Sequence, residues 1–423
     1  MRIFTKQGIC DPHIRIFNGK AYLYSTHDNE PGRRSFRMDD WQIFSSDDLL
    51  NWEKEYVLRP EDTFLGKCDK CYATDAVERN GKYYLYFSQE QNCTGVAVSE
   101  NGPGGPFIDV LHEPLLPNGI ANTASYDPAV FIDDDEERTP YIMWGYTCYG
   151  KQYHIARLNG DMISLAEEPR PVEIVNSWFK DAPWLWKHNG LYYLLTHSAL
   201  YATSENIYGP YEFRGRICDA TVDHPCIFDY NNQTYMAYGV PEESENPNGD
   251  AFFRTTKIVY AHYKENGDIT CDEFIQNAGV GHYDASWKEI KGEWFFAASE
   301  GIVKKDIGNG FVLRGIKNNS YLYFPNVSGM RQNAKMYIFA SSTVGSSYTI
   351  EVHEDSPYGK VLGCCHVKGL INPDWFSHEI DEYDRISCEL KNSFGTHNLC
   401  FVFKGDGDGD LLFDSFCFEQ IKP

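Results

Sequence analysis

Apolar positions along this chain alternate with polar ones far more often than they recur at helical spacing, and the alternation returns in one short phrase five times. The units are "DPHIRIFNGKAYLYSTH" from Asp11, "ATDAVERNGKYYLYFSQ" from Ala73, "DPAVFIDDDEERTPYIMWGY" from Asp127, "APWLWKHNGLYYLLTHS" from Ala182 and "HPCIFDYNNQTYMAYG" from His224. Each reads as a short apolar strand, a turn of Asn, Gly or Asp, and an aromatic-rich return strand. Four carry proline at the second position: Pro12, Pro128, Pro183 and Pro225. Proline is tolerated at the first residues of a strand and rarely inside a sheet, so it marks a common strand start. Further strand-like runs, such as "WQIFSSDDLLNWEKE" and "HIARLNGDMI", lie between the units.

Repeats about 40–60 residues apart, each a few antiparallel strands, read as propeller blades. Five blades of four strands fill roughly residues 1–280. The competing reading is a β-sandwich with chance similarity, against which the shared proline and turn register argue. Beyond residue 285 the pattern changes to alternating strands broken by turn residues, the signature of a sandwich. "ASWKEIKGEWFF" at 285–296 lacks the blade proline and reads as the opening strand of that second part, not as a sixth blade. The predicted fold is therefore all-β: a five-bladed β-propeller over 1–280, a border near 276–288, and a β-sandwich (jelly-roll) domain over 285–423.

In a propeller the innermost strands line the axis and their starts converge on one face. The residues at those starts are Asp11, Ala73, Asp127, Ala182 with Asp181 before it, and His224. Three carboxylates and a histidine are thereby predicted to meet in one funnel. A single Asp-Pro at a strand start is usually a turn cap; two on matching units, with a third acid at another start, point to a site.

Composition narrows the partners. A formal net charge of −23 disfavours nucleic acid and anionic membranes. Aromatics at 15% favour strands and suit sugar-binding surfaces. No run approaches 18 apolar residues, and "MRIFTKQGICDPH" has no apolar segment of signal length, so a cytoplasmic location is expected. The 13 cysteines, odd in number and irregular in spacing, suit reduced thiols better than a disulfide framework. "CDKC" at 68–71 has the spacing of half a zinc site, but no second pair accompanies it.

Residues 8–275 resemble family 43 glycoside hydrolases, which are five-bladed β-propellers. The carriers are "DPHIRIFNGKAYLYST", "SSDDLLNWE", "YATDAVERNGKYYLYFS", "YDPAVFIDDD", "APWLWKHNGLYYLLTHS" followed by "SENIYGPYE", and "VDHPCIFDYNNQTYMAYG". The resemblance implies an inverting glycosidase, whose two carboxyls stand roughly 6.5–9.5 Å apart to admit a water. It implies Asp11 as general base and Asp127 as the carboxylate that orients the acid and raises its pKa. Where the family carries Glu before "APW", this chain has Asp181, shorter by one methylene. Three readings stay open: Asp181 is the acid, Glu168 or Glu173 replaces it, or the site binds sugar without turnover. His224 matches an axial histidine that touches a cation, calcium, or orders water; the other reading is a hydrogen-bonded structural residue. Tyr72, Trp144, Trp184 and Trp186 are the candidate rings of a sugar pocket, at least two of which are expected to line it. Arg254 matches a substrate-contacting arginine.

The tail, about 285–423, resembles a family 6 carbohydrate-binding module through "EIKGEWFFAASEGI", "GIKNNSYLYFPNV", "YIFASSTVGSSYTIEVHEDSPYGKVLGCCHV", "DWFSHEID" and "GTHNLCFVFKGDGDGDLLFDSFCFEQ". The module's aromatic pair falls on Tyr321 and Trp375, while Leu412 stands where relatives carry a sugar-binding Asn. A calcium site of the module's type falls on Glu293 and Asp414, with Lys291 replacing a usual acidic ligand. "GDGDGD" at 405–410 lacks the closing Glu of an EF-hand and reads as a solvated loop. The expected activity is release of α-L-arabinofuranose or β-D-xylose from arabinoxylan-derived oligosaccharides. The alternatives are a catalytically impaired sugar-binding protein or an exo-acting β-galactosidase.

Overall fold

A computed structural model describes residues 2–176, 180–218, 222–246, 251–342, 347–368, 385–405 and 411–420. The chain divides into two compact units, Met1–Phe228 with Tyr235–Val259, and Asp229–Thr234 with Tyr260–Pro423. The border predicted near 276–288 follows the change in strand pattern; the compact units follow packing and part at Val259.

The first unit is a five-bladed β-propeller. Its first sheet runs Ile9–Phe17, Lys20–Asp28, Met38–Ser46, Glu53–Leu58 in sequence order. The second runs Cys71–Arg79, Lys82–Gln89, Cys93–Ser99, Ile108–Asp109, and the third Ala129–Ile132, Pro140–Trp144, His154–Arg157, Arg170–Pro171. The fourth comprises Trp184–His188, Leu191–Thr196, Leu200–Ser204 and Tyr211–Arg216, with Ile174–Val175 added in parallel at its outer edge. The fifth comprises Asp223–Tyr230, Gln233–Pro241 and Arg254–Tyr263 and is closed by Arg2–Ile3 from the chain's start: Arg2 pairs with Lys257 and Ile3 with Thr256.

The inner hairpins turn where the sequence predicts. Asn18–Gly19, Asn80–Gly81, Asn189–Gly190 and Asn231–Asn232 all have positive φ at both residues. Such turns match the twist of the flanking strands, and Asn and Gly tolerate that backbone best. Between blades, one face of each sheet packs on the next. Trp41, Leu85, Phe87 and Phe107 fill the first gap; Tyr86, Val130, Ile142 and Trp144 fill the second. Each such side chain stabilises the fold by about 1.5–3 kcal/mol when fully buried.

The second unit carries two six-stranded sheets. Phe324 and Phe401 from one meet Phe413 and Phe416 from the other, with Phe401–Phe416 centroids 4.8 Å apart. Among the described residues no helix is long and apolar enough to cross a membrane.

Candidate active site

Asp11, Asp127, Ala182 and His224 share a left-handed backbone, with φ of 47°, 53°, 57° and 41°. Away from glycine this conformation costs on the order of 1 kcal/mol or more, and it persists only where surroundings over-determine it. In the first blade it coincides with a register break between Cys10 and His13; the second blade breaks at the matching place, between Tyr72 and Thr74. Gly239 lets the fifth blade close against the first here: a Cβ on it would lie 2.4 Å from Cys10 Sγ.

The kink delivers Asp11 to Arg254. Arg254 Nη1 donates to Asp11 Oδ1 at 2.5 Å, Nη2 to Oδ2 at 3.1 Å, and Thr26 Oγ1 also donates to Oδ2 at 2.7 Å. The same guanidinium holds Asp28 through Nε (3.0 Å) and Nη2 (2.9 Å), and Asp223 through Nη1 (2.8 Å). Burial pushes the Asp28 carboxyl up to about 6 against the pull of Arg254. Burial also works to raise Asp223. The hydrogen bond from His197 Nδ1 (2.9 Å) and the charges of His224 and Arg254 outweigh it, holding that carboxyl well below the usual range.

His224 Nε2 sits 3.8 Å from Asp11 Oδ1, 3.9 Å from Asp127 Oδ2 and 4.0 Å from Asp223 Oδ1. Burial disfavours its charged form, yet Asp11, Asp127 and Asp223 together push it up to about 9. Asp127, 3% exposed, accepts from the Ala182 backbone N–H at 3.1 Å. Its carboxyl is pushed up to about 8 by burial and by the charges of Asp181 and Asp11, with His224 opposing. Asp181 is half-buried. Its carbonyl accepts from Thr196 Oγ1 (2.5 Å) and Tyr153 Oη (3.2 Å), and the Tyr126 hydroxyl donates to its Oδ2 at 3.3 Å. Asp11, Asp127, Asp181 and His224 therefore come together as predicted.

Other predicted roles change. Trp144 is fully buried in the packing between the second and third blades, so it cannot face a sugar. Trp184, 1% exposed, lies under the Arg15 guanidinium (4.0 Å) and against His13 (4.7 Å), deeper along the axis. Trp186 stacks on Tyr193 at 4.9 Å, two residues further from the strand start. Tyr72 remains at the site: burial, Glu90 and Asp127 push its phenol up to about 12, with Asp11 adding. Arg254 is 3% exposed and its donors are engaged by carboxylates, so it positions Asp11 instead of contacting sugar. Glu168 and Glu173 are exposed. In the second unit Tyr321 is half-buried, and Trp375 and residues 406–410 lie outside the described residues.

Reading the strand starts alone misses Asp28, Asp75 and Asp223. Asp75 stands two residues past Ala73, the next position on the same strand face. It binds Arg15 twice, at 3.0 and 2.6 Å, in a second layer along the axis. Asp223 precedes His224 as Asp181 precedes Ala182, a parallel visible in the sequence.

Asp11, Asp223 and His224 form the one group of three metal-ligand types within 4.8 Å of one another among the described residues. Their carboxylates are already bound by Arg254, and calcium takes about six to eight oxygens, so direct coordination by this set does not fit. The axis below offers something else. His224 Nδ1, both His13 ring nitrogens, Thr74 Oγ1 and Trp184 Nε1 are buried without hydrogen-bond partners, a lining that calls for water. Glu293 and Asp414 face a cleft of about 560 Å³ in the second unit with Lys291, but they do not assemble a metal set. Lys291 Nζ lies 3.7 Å from Glu293 Oε1 and supplies the positive charge itself.

Residues 4–217 match the profile of the glycosyl hydrolases family 43, and 296–420 that of the carbohydrate binding module (family 6). A xylosidase/arabinosidase of Bacteroides ovatus is 31% identical over 318 residues, 62% of this chain and 94% of that protein. An arabinoxylan arabinofuranohydrolase of Bacillus subtilis (strain 168) is 24% identical over 479 residues, 97% of this chain and 90% of that one. Among solved structures, a family 43 β-xylosidase/α-arabinofuranosidase from a compost microbial metagenome, in complex with xylotriose in a calcium-free form, matches with TM-score 0.55 and 27% identity. That match covers 64% of this chain and 96% of the other. A B. subtilis family 43 arabinoxylan arabinofuranohydrolase with cellotetraose shares the fold at TM-score 0.55 and 19% identity, over 98% of this chain and 96% of the other.

Proposed function

The chain belongs to the glycosyl hydrolases family 43 and is a glycosidase with a carbohydrate substrate; on that premise we propose that it releases α-L-arabinofuranose or β-D-xylose from arabinoxylan-derived oligosaccharides. The observation that carries this reading is the meeting of Asp11, Asp127, Asp181 and His224 at one set of strand starts. Asp11, oriented by Arg254 and Thr26, takes the proton of the attacking water. Asp181, steadied by Tyr126, protonates the leaving oxygen. Asp127 lies beside Asp181 and orients it, each feeling the other's charge. Tyr72 walls the sugar.

A second assignment of the acid is favoured by where the proton sits. Burial and the charges of Asp181 and Asp11 strengthen the hold of the Asp127 carboxyl on a proton, and it lies beside Asp181. Leaving-group dependence separates the two. An acid is needed for a poor leaving group and not for a phenolate that departs unaided. Asp181→Ala is expected to lose on the order of a hundredfold on xylo-oligosaccharides and much less on 4-nitrophenyl glycosides. If Asp127→Asn alone shows that split, the proton comes from Asp127. If neither variant does and the wild type releases no sugar from either substrate, the protein binds without cutting.

A divalent cation such as calcium, held on the axis through water, would face His224 Nδ1 and the His13 ring nitrogens, which are buried there without partners, and its positive charge would help to orient His224. Because such a cation and the His224 proton would disfavour each other, calcium affinity is expected to rise with pH as the ring deprotonates. Calorimetry of calcium binding at several pH values tests this. We place the enzyme in the cytoplasm, whose reducing poise suits a chain with thirteen free cysteines, and cell fractionation checks that.

A further inference from the structure

The "CDKC" loop is the one motif the sugar chemistry leaves unused. Cys68 Sγ lies 3.8 Å from Cys71 Sγ, and among the described residues no third ligand completes a metal set around them. The two thiols differ. Cys68 is half-buried, whereas Cys71 is fully buried at the first position of the second blade's inner strand. The loop is held by its own backbone: Asp69 O accepts from Met38 N (3.0 Å), and Lys70 O accepts from both Tyr72 N (3.0 Å) and Glu90 N (2.9 Å). Tyr72, directly after Cys71, is the ring that feels Asp127 and Asp11, and its carbonyl accepts from Trp41 Nε1 at 2.6 Å.

We propose that Cys68 and Cys71 form a thiol–disulfide site for low-molecular-weight disulfides of the glutathione type, and that its oxidation weakens sugar binding by displacing Tyr72. The role of Tyr72 rests on the site reading above; the thiol chemistry does not. The hydrogen bond from the Cys71 thiol lowers the Cys68 thiol to about 7, against burial, and raises Cys71. Cys68 is thus the accessible thiolate and Cys71 the resolving thiol. In the first step the Cys68 thiolate attacks one sulfur of the small disulfide, forming a mixed disulfide and expelling one thiolate, which takes a proton from water. Cys71 then gives its proton to solvent and attacks the Cys68 sulfur, expelling the second small thiolate. Two protein thiols and one small disulfide become one protein disulfide and two small thiols. Drawing the sulfurs into a bond pulls on the strand start that carries Tyr72.

The test uses the full chain equilibrated in mixtures of reduced and oxidised glutathione. Peptide mapping by mass spectrometry is expected to find the Cys68–Cys71 disulfide before any other pairing, and Cys71→Ser to trap one glutathione on Cys68. The oxidised protein is expected to show a severalfold higher KM for xylo-oligosaccharides with kcat nearly unchanged, an effect absent in the Cys68→Ser/Cys71→Ser double variant. Cys68 and Cys71 still free while other cysteines oxidise would overturn the site. A mapped disulfide with unchanged KM, and unchanged xylotriose affinity by calorimetry, would overturn its coupling to Tyr72. A protein that cuts no glycoside in either redox state refutes the enzyme reading, and the mapping still decides the thiol chemistry.

Discussion

In the propeller, Asp11, Asp28 and Asp223 share one buried guanidinium, Arg254, whose planar fork reaches each of them at 3.1 Å or less. In the sandwich, Glu293 faces an ammonium, Lys291, that stops 3.7 Å away and is a third exposed. The electrostatic outcomes diverge. Asp223 is held well below the usual carboxylate range despite burial, whereas burial pushes Glu293 up to about 8 with Lys291 only opposing it. An opposite charge nearby is not enough to keep a buried carboxylate ionised: Asp28, on the Arg254 fork, is still pushed up to about 6, and Asp223 is held low only by the His197 hydrogen bond together with the His224 and Arg254 charges. The site that combines such bonds and charges holds its carboxylates in place for chemistry.

The largest effect expected is on the propeller side. Asp11→Asn keeps the shape but cannot accept the water's proton, so turnover falls about 10²–10⁴-fold while circular dichroism and the urea midpoint stay near wild type. Full activity in a folded variant would remove Asp11 from the role of base. Next, Arg254→Met leaves buried carboxylates without their partner and is expected to cost about 3–5 kcal/mol in urea unfolding. Arg254→Lys should recover only part of this, because an ammonium lacks the fork. A loss under about 1 kcal/mol in the Met variant would mean that water can replace the guanidinium.

A pH series sharpens the contrast. Asp127 is raised from 3.8 to about 8 and His224 from 6.5 to about 9, so the folded state holds more protons than the unfolded chain in those windows. Stability then falls as pH rises, from about 4 to 8 for Asp127 and from 6.5 to about 9 for His224. Glu293, raised from 4.5 to about 8, acts with the same sign. Glu293→Gln should flatten the sandwich's share of this fall, and an unchanged slope would show that Glu293 ionises freely. The smallest effect concerns Lys291, which is 32% exposed. Its replacement by Met is expected to change stability by less than about 1 kcal/mol. Calcium should leave the thermal midpoint of Glu293's unit unmoved in the wild type and raise it in Lys291→Glu, where a third carboxylate joins Glu293 and Asp414. A calcium shift in the wild type, absent in Glu293→Gln, would put a metal where the ammonium is assigned.

The repeat of strand, tight turn and aromatic strand determined the five blades and put Asp11, Asp127, Asp181 and His224 at or beside their strand starts, because hairpin register and same-face alternation are local properties. Their meeting at one place follows from the propeller's symmetry, so Asp11, Asp127, Asp181 and His224 were legible as a group. The work of Arg254 was not. It depends on Asp28 at the far end of the first blade's second strand and on Asp223 in the fifth blade, partners separated from it by 226 and 31 residues. Nor was the fate of the tryptophans legible. Trp144 ends the third blade's second strand while Trp184 and Trp186 share the fourth blade's first strand, and apolar patterning cannot say whether a ring fills the gap between blades, packs on the axis or faces the opening. Local propensity decides which strands form. Which charges neutralise one another, and which rings see solvent, is decided only when distant strands close together, because desolvation and Coulomb terms act between neighbours in space and not in sequence.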